Sequence, residues 1–434
     1  MTTGDHSPTP LLHVGWLKKE DHKEENPDLF LLRFDDLCYH AAVLAGSGAG
    51  KSTVVGRIIE EIVIKTKGRV VIIDTNGDFR QSHLVLEKDH RVWTRGNQRI
   101  DDRFWNRDEF EESWNKIKRI QFAGPIKPPP DGAGPLIDWG KLPIDWQMDI
   151  LGVDIGRHHE EIAALYDMME RLKDESDPMS PERLKSELGS AKFHNPEELA
   201  QTLSALRARL IRANKLAIWK HKKEDERDLR SSFTSEIEER PQLSIFDVPS
   251  ILDITTRNVL LSYLLNTLWE VALLDWEKAS EKAVEHDKRT PIFIVIDEAH
   301  NFVPAEDPID PHALRISQSI QRIAAEGRKY GLFLILATQR PSKVRPGLLS
   351  ECENVCLLRL RSPIERGIAV DTWALRDDNR HPRLSPLAKY ERGEGLLFGH
   401  WTRWNEISFE AGQRRTKPTG GDLPKTWISS IDAS

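Results

Sequence analysis

Cysteine is scarce. Three residues, Cys38, Cys352 and Cys356, are spread over a chain of 434. That excludes a disulfide scaffold and fits a reducing compartment. Cys352 and Cys356 have no second pair and no nearby histidine, so ordinary buried thiols are expected rather than a zinc site. Positive charge is not in excess either: 62 Lys and Arg stand against 69 Asp and Glu, a net charge of −7. Coating in nucleic acid by bulk positive charge is therefore not expected, while a local basic surface stays open. Met1–Pro10 holds no basic patch followed by an apolar stretch, so no secretory leader is expected. Long apolar runs are missing as well. The most apolar segment, Val259–Leu274, is interrupted by Asn266 and Glu270 and is too short to span a bilayer. A cytoplasmic protein with no membrane attachment is the expectation, and no repeat of solenoid period is visible.

What is present is a globular balance of 39% apolar and 30% charged residues. The length suits one large or two to three smaller folding units. Short apolar, β-branched runs occur at Ala41–Ala45, Arg69–Asp74, Ser244–Val248, Pro291–Asp297, Leu332–Thr338 and Asn354–Leu360. Most are continuous rather than alternating, which means burial on both faces and hence a parallel sheet under helices. Ser52–Lys65 has a helical pattern. Val259–Ala279 is apolar nearly all round and suits an inner helix. Ile316, Ile320 and Ile323 form a stripe on a helix ending near Arg328, where Gly331 can stop it. The fold class is α/β, a mainly parallel sheet with an all-α insertion. The expected organisation is a short N-terminal segment (1–35), a first core part (36–100), a mainly helical insertion (101–241) and a second core part (242–412). A tail of irregular composition (413–434) completes it.

Four motifs carry chemistry. In Ala45-Gly46-Ser47-Gly48-Ala49-Gly50-Lys51-Ser52-Thr53 a strand runs through a glycine-rich loop into a helix. Backbone N–H groups can surround phosphate oxygens only where few Cβ atoms intrude, and the helix N-terminus adds positive potential. Lys51 would reach the β/γ-phosphates and the Ser52 hydroxyl would ligate Mg²⁺ of a bound ATP. Ala45 stands where the strict pattern wants glycine. Second, the strand Ile292–Ile296 delivers Asp297 and Glu298 to its C-terminal end. Asp297 would hold Mg²⁺ through its water shell, and Glu298 would orient or deprotonate the attacking water. Third, Gly327-Arg328-Lys329-Tyr330-Gly331 precedes the strand that ends at Thr338-Gln339-Arg340-Pro341. Arg328 is a candidate arginine finger and Gln339 a candidate phosphate sensor. The alternative is that Arg328 caps its helix and Gln339 bonds a turn. Fourth, Ile72-Ile73-Asp74-Thr75-Asn76-Gly77-Asp78-Phe79 ends a strand in acids; an Asn-Gly turn accounts for most of it, with a role near the nucleotide as the lesser reading.

These pieces, in this order and with these spellings, resemble the HerA–FtsK superfamily and within it the HerA-like ATPases. The similarity covers His40–Thr53, Asp74–Asp78, Asp297–Phe302, Gly327–Gly331 and Ala337–Pro341. It implies a RecA-like P-loop core, a homohexamer, ATP-driven movement along double-stranded DNA, and ATP sites shared between subunits, with Arg328 acting on the neighbour's nucleotide. It also implies a separate nuclease or effector, in DNA end processing or anti-phage defence. The roughly 35 residues before the core are far fewer than that family's N-terminal β-barrel needs. A nucleotide-gated scaffold that switches an effector without moving DNA is the rival reading, and a monomeric kinase a third. The richest basic segment is Arg207, Arg209, Arg212, Lys215, Lys220, Lys222 and Lys223 around Trp219, for which a solvated helix face is the simpler account.

Overall fold

Six apolar runs become neighbouring strands of one eleven-stranded sheet. The computed structural model describes residues 10–18, 29–94, 106–124, 134–154, 156–172, 177–188, 196–221, 228–281, 287–373 and 385–419. The strands are β1 (Leu11–Leu17), β2 (Leu29–Arg33), β3 (Ala41–Leu44), β4 (Arg69–Asp74), β5 (Arg119–Phe122) and β6 (Leu243–Asp247). They continue with β7 (Ile292–Asp297), β8 (Leu332–Thr338), β9 (Asn354–Leu358), β10 (Glu394–Gly399) and β11 (Ile407–Ala411). Their spatial order is β2-β1-β11-β10-β9-β3-β8-β7-β4-β6-β5. From β9 to β5 every pairing is parallel, and from β9 to β2 every pairing is antiparallel. This is a RecA-like P-loop α/β fold.

Alternate residues of the central strands feed two separate cores. Ala42, Leu44, Val71, Ile73, Ile294 and Ile296 pack against one set of helices, while Ala41, Val43, Val70, Ile72 and Val295 pack against the other. The first set includes the helices Ile254–Ser280 and Pro311–Tyr330; the second includes the helix Lys51–Lys65, which opens directly out of the glycine-rich loop. Crossovers of this kind leave all C-terminal strand ends of the parallel half on one edge, where open α/β sheets bind ligands.

Several expectations need revision. The inner helix is longer than its apolar stretch suggested: it runs from Ile254 to Ser280, capped by the Asp253 carboxylate on the Thr256 N–H. By length and composition it could cross a membrane, yet 67% of its most apolar 18-residue window is buried inside the protein. The stretch 101–241 is mainly helical but not all-α, because β5 joins β6 at the end of the sheet. Residues before the core do not stand apart: β1 and β2 extend the sheet beyond β11. Residues 413–419 pack as an ordered strap, with Arg414, Arg415 and Thr416 buried; residues 420–434, including Gly420 and Gly421, lie outside the described residues. All three cysteines are free, and burial pushes each thiol well up.

The strap is fastened by buried charge. Glu61, on the helix Lys51–Lys65, accepts from the His13 N–H at 2.8 Å and pairs with Arg57 at 3.3 Å, Lys65 at 2.9 Å and Arg415 at 2.9 Å. Its neighbour Glu60 accepts from the backbone N–H groups of Arg415 and Thr416. Burial would raise Glu61, but these cations outweigh it and hold the carboxyl at about 2. His13 stays neutral, driven down to about 2 by burial and then by Arg57. A single neutral tautomer serves both its contacts: Nε2–H donates to the Gly15 carbonyl, and Nδ1 accepts from Arg57.

Candidate functional site

The glycine-rich loop leaves β3 at Leu44 and enters its helix at Lys51. Two of its glycines, Gly48 (φ +67°) and Gly50 (φ +102°), lie in the left-handed region that side chains avoid. Gly46 is required for closeness instead: a Cβ there would sit 2.9 Å from the Arg359 carbonyl oxygen, which accepts the Gly46 N–H. Ala45 has an ordinary backbone and is fully buried, donating its N–H to the Thr338 carbonyl, so its methyl is accommodated.

The loop floors a cleft of about 280 Å³ lined by Ala45–Thr53 together with Asn76, Asp78, Glu298, Gln339 and Arg392. The parallel strands deliver these groups. Asp297 ends β7 opposite Ala337 of β8, and Leu44 of β3 lies opposite Thr338. Lys51 Nζ lies 2.9 Å from Asp297 Oδ1 and also bonds Glu298. Asp297 Oδ2 accepts from Asn76 at 3.0 Å, and its carbonyl accepts from the Thr75 hydroxyl. Ser52 donates its hydroxyl to Asp78. Glu298 Oε2 lies 3.3 Å from His300 Nδ1 and accepts from the Gln339 N–H.

Electrostatics separate the two acids. Burial pushes Asp297 above the ordinary carboxylate range, with Lys51 opposing. Burial also acts upward on Glu298, but hydrogen bonds from His300 and Lys51, the Lys51 charge and the Gln339 N–H together hold it at about 2. Glu298 is also a non-glycine residue at φ +49°, ψ +54°. Such a conformation costs about 1 kcal/mol or more and concentrates at functional sites. Behind them Asp74 is pushed up to about 7 by burial, its carboxylate accepting the Phe79 and Asp78 N–H groups.

Lys51, Ser52, Asp297, Glu298 and Gln339 thus meet around one cleft. Arg328 does not join them within the chain. It sits in the last turn of the helix Pro311–Tyr330, ahead of β8, while the loop is level with the far end of that strand. Seven strand residues at ~3.3 Å each separate the two by about 20 Å. Arg328 Nη1 donates to Glu353 at 2.5 Å and its guanidinium lies 4.1 Å over the Tyr39 ring. Asp78, Asn76, His300 and Arg392 are the lining or supporting residues that the motifs did not single out as functional. The acidic turn after β4 was a signal for the first two; nothing local marks Arg392.

The basic segment around Trp219 is structural in part, while Arg207, Arg212 and Lys215 are exposed on the helix Pro196–Asn214 and just beyond it. Trp219 is buried, donates to the Ala213 carbonyl and packs edge-on against Trp139. Lys220 pairs with Asp228 and Arg209 with Glu161. Lys222 and Lys223 lie outside the described residues.

Comparison with known proteins decides the family. The model described as Helicase HerA, central domain, matches residues 12–268, more than half of the chain. The chain belongs to the HerA family. It is thereby a member of the HerA–FtsK superfamily. A DNA double-strand break repair helicase HerA from Pyrococcus furiosus is 31% identical over 109 residues, 25% of this chain and 18% of that protein. A probable helicase from Methanocaldococcus jannaschii is 22% identical over 405 residues, 89% of this chain and 68% of the relative. A second probable helicase from that organism matches over only 26% of its own length. Among solved structures, the plasmid coupling protein TrwB in complex with the non-hydrolysable GTP analogue GDPNP aligns over 97% of this chain and 98% of its own. Its TM-score is 0.51 and its identity 14%, a likeness of fold alone.

Proposed function

We propose that this HerA-family chain hydrolyses ATP as a cytoplasmic homohexameric ring motor on double-stranded DNA, serving a separate nuclease or effector in DNA end processing or anti-phage defence. The observation that carries the reading is the contact of Lys51, from the glycine-rich loop, with both carboxylates at the end of β7. The curated HerA relatives are described as DNA double-strand break repair helicases, which supports duplex DNA as the substrate.

Backbone N–H groups of Ser47, Gly48, Gly50 and Lys51 would wrap the phosphates, with the Lys51 ammonium shared between them and the acids. The donors fit Mg²⁺: Ser52 and Asp297 offer hard oxygens, and no cluster of three or more His, Cys, Asp or Glu suited to a metal occurs among the described residues. Such a site suits a cation held mainly by phosphate and water. Bound there, the ion would neutralise charge on the β- and γ-oxygens. Contacts with His300 and Lys51 favour the ionised form of Glu298, which would orient or deprotonate the attacking water. Gln339 would face the γ-phosphate from the end of β8. Arg328, remote from its own loop, would act across a subunit boundary.

ATPase assays with and without duplex DNA, triplex displacement and mass measurement test the proposal together. DNA-stimulated turnover with ATP-dependent displacement by a hexamer supports it. Turnover indifferent to DNA, without displacement, refutes the motor in favour of the nucleotide-gated scaffold.

A further inference from the structure

We propose that Arg392 is a second, same-chain phosphate-binding cation of this site, closing over the nucleotide's β- and γ-phosphates from the side opposite the acids. The inference rests on the nucleotide reading above and adds a residue that no motif marks.

Among the described residues, two cations line the cleft, Lys51 and Arg392. Their situations differ. The Lys51 ammonium is engaged by Asp297 and Glu298. Arg392 is exposed, and no carboxylate among the described residues pairs with it. The cleft also presents the carboxylates of Asp78 and Glu298, with Asp297 immediately behind. A polyphosphate entering beside three acids and one engaged lysine meets net repulsion from side chains. A free guanidinium at the same rim lessens that repulsion, and its planar fork suits two phosphate oxygens at once.

Arg392 is not there by the accident of a loose loop. The next residue, Gly393, donates its N–H to the Ala49 carbonyl at 2.9 Å, and its own carbonyl accepts from Ala411 at 2.8 Å. A Cβ on Gly50 would stand 3.1 Å from the Gly393 nitrogen and 3.7 Å from Arg392 Cγ. Gly393 itself is at φ +88°, a turn that admits this approach. The turn into β10 is therefore bonded to the glycine-rich loop it faces. Sheet order gives the direction. β7 and β8, which carry Asp297, Glu298 and Gln339, lie on one side of β3; β9 and β10 lie on the other. The phosphates would be held between the two sides.

The test is calorimetric titration of the full chain with ATP, ADP and AMP in Mg²⁺, for wild type, Arg392→Ala, Arg392→Lys and Lys51→Ala. The side chain is exposed, so Arg392→Ala should keep the wild-type unfolding midpoint. Expected is a loss of about tenfold or more for ATP, the scale of one charge-assisted hydrogen bond, a smaller loss for ADP and almost none for AMP, with partial recovery in Arg392→Lys. Unchanged ATP affinity in Arg392→Ala overturns the proposal. So does an equal loss for all three nucleotides, which would put Arg392 on the base or ribose. Lys51→Ala separates the two levels: if it binds ATP as wild type does, the nucleotide reading itself is wrong.

Discussion

Replacing Glu61 by glutamine tests how the strap is held to the helix that leaves the glycine-rich loop. Its carboxylate is fully buried and takes four donors, the His13 N–H, Arg57, Lys65 and Arg415. Holding this group at about 2 instead of its ordinary 4.5 corresponds to about 3 kcal/mol of stability. The folded value lies below the unfolded one. That stability is therefore complete above pH 4.5 and drains away as pH falls toward 2. Glu61→Gln keeps the shape but leaves Arg57 and Arg415 buried against an amide. Breaking one partner of a buried ionic cluster costs about 3–5 kcal/mol, unlike replacing the whole cluster with apolar groups. Urea unfolding followed by tryptophan fluorescence, at pH 7 and stepwise down to pH 3, gives both quantities. The variant should unfold at clearly lower urea at pH 7, and its gap to wild type should narrow on acidification. Coincident midpoints at pH 7, or a gap that does not change with pH, would refute the reasoning.

Glu298→Gln should bind ATP and fail to turn it over, whereas Lys51→Ala should lose binding as well; native turnover by Glu298→Gln would show that Glu298 does not align water. Arg328→Ala should abolish hydrolysis while single chains still bind ATP, and mixing it with Glu298→Gln should restore some turnover, because only a shared site can combine an intact finger with an intact acid. No recovery in mixed rings, at proven mixing, would leave Arg328 as a partner of Glu353 alone. Gly50→Ala forces a side chain to φ +102° and 3.1 Å from Gly393, so nucleotide affinity should fall along with about 1–2 kcal/mol of stability, read by titration and urea midpoint.

Much of the fold was legible in the chain because its signals are local. The six apolar runs are β3, β4, β6, β7, β8 and β9, each buried on both faces, and most are written without polar interruptions; β6 carries the buried Ser244 within it. The outer strands escaped notice for the converse reason. β5 is only partly buried, and β10 has a glycine at each end of its apolar run. Gly15 looks like a break in β1, yet a Cβ there would lie 2.3 Å from the Glu410 carbonyl; the glycine is what lets β11 come so close.

By itself, the sequence determined the glycine-rich loop between strand and helix, the two acids at the tip of β7 and the helix stop at Gly331, because strand, turn and cap chemistry depend on near neighbours. Only the tertiary structure decided that Asp78 meets Ser52, that Arg392 borders Gly50, that residues 413–417 close on Glu60 and Glu61, and that Arg328 stands a sheet's length from its own loop. Those meetings depend on strand order and on long-range burial of charge. No spacing along the chain encodes either.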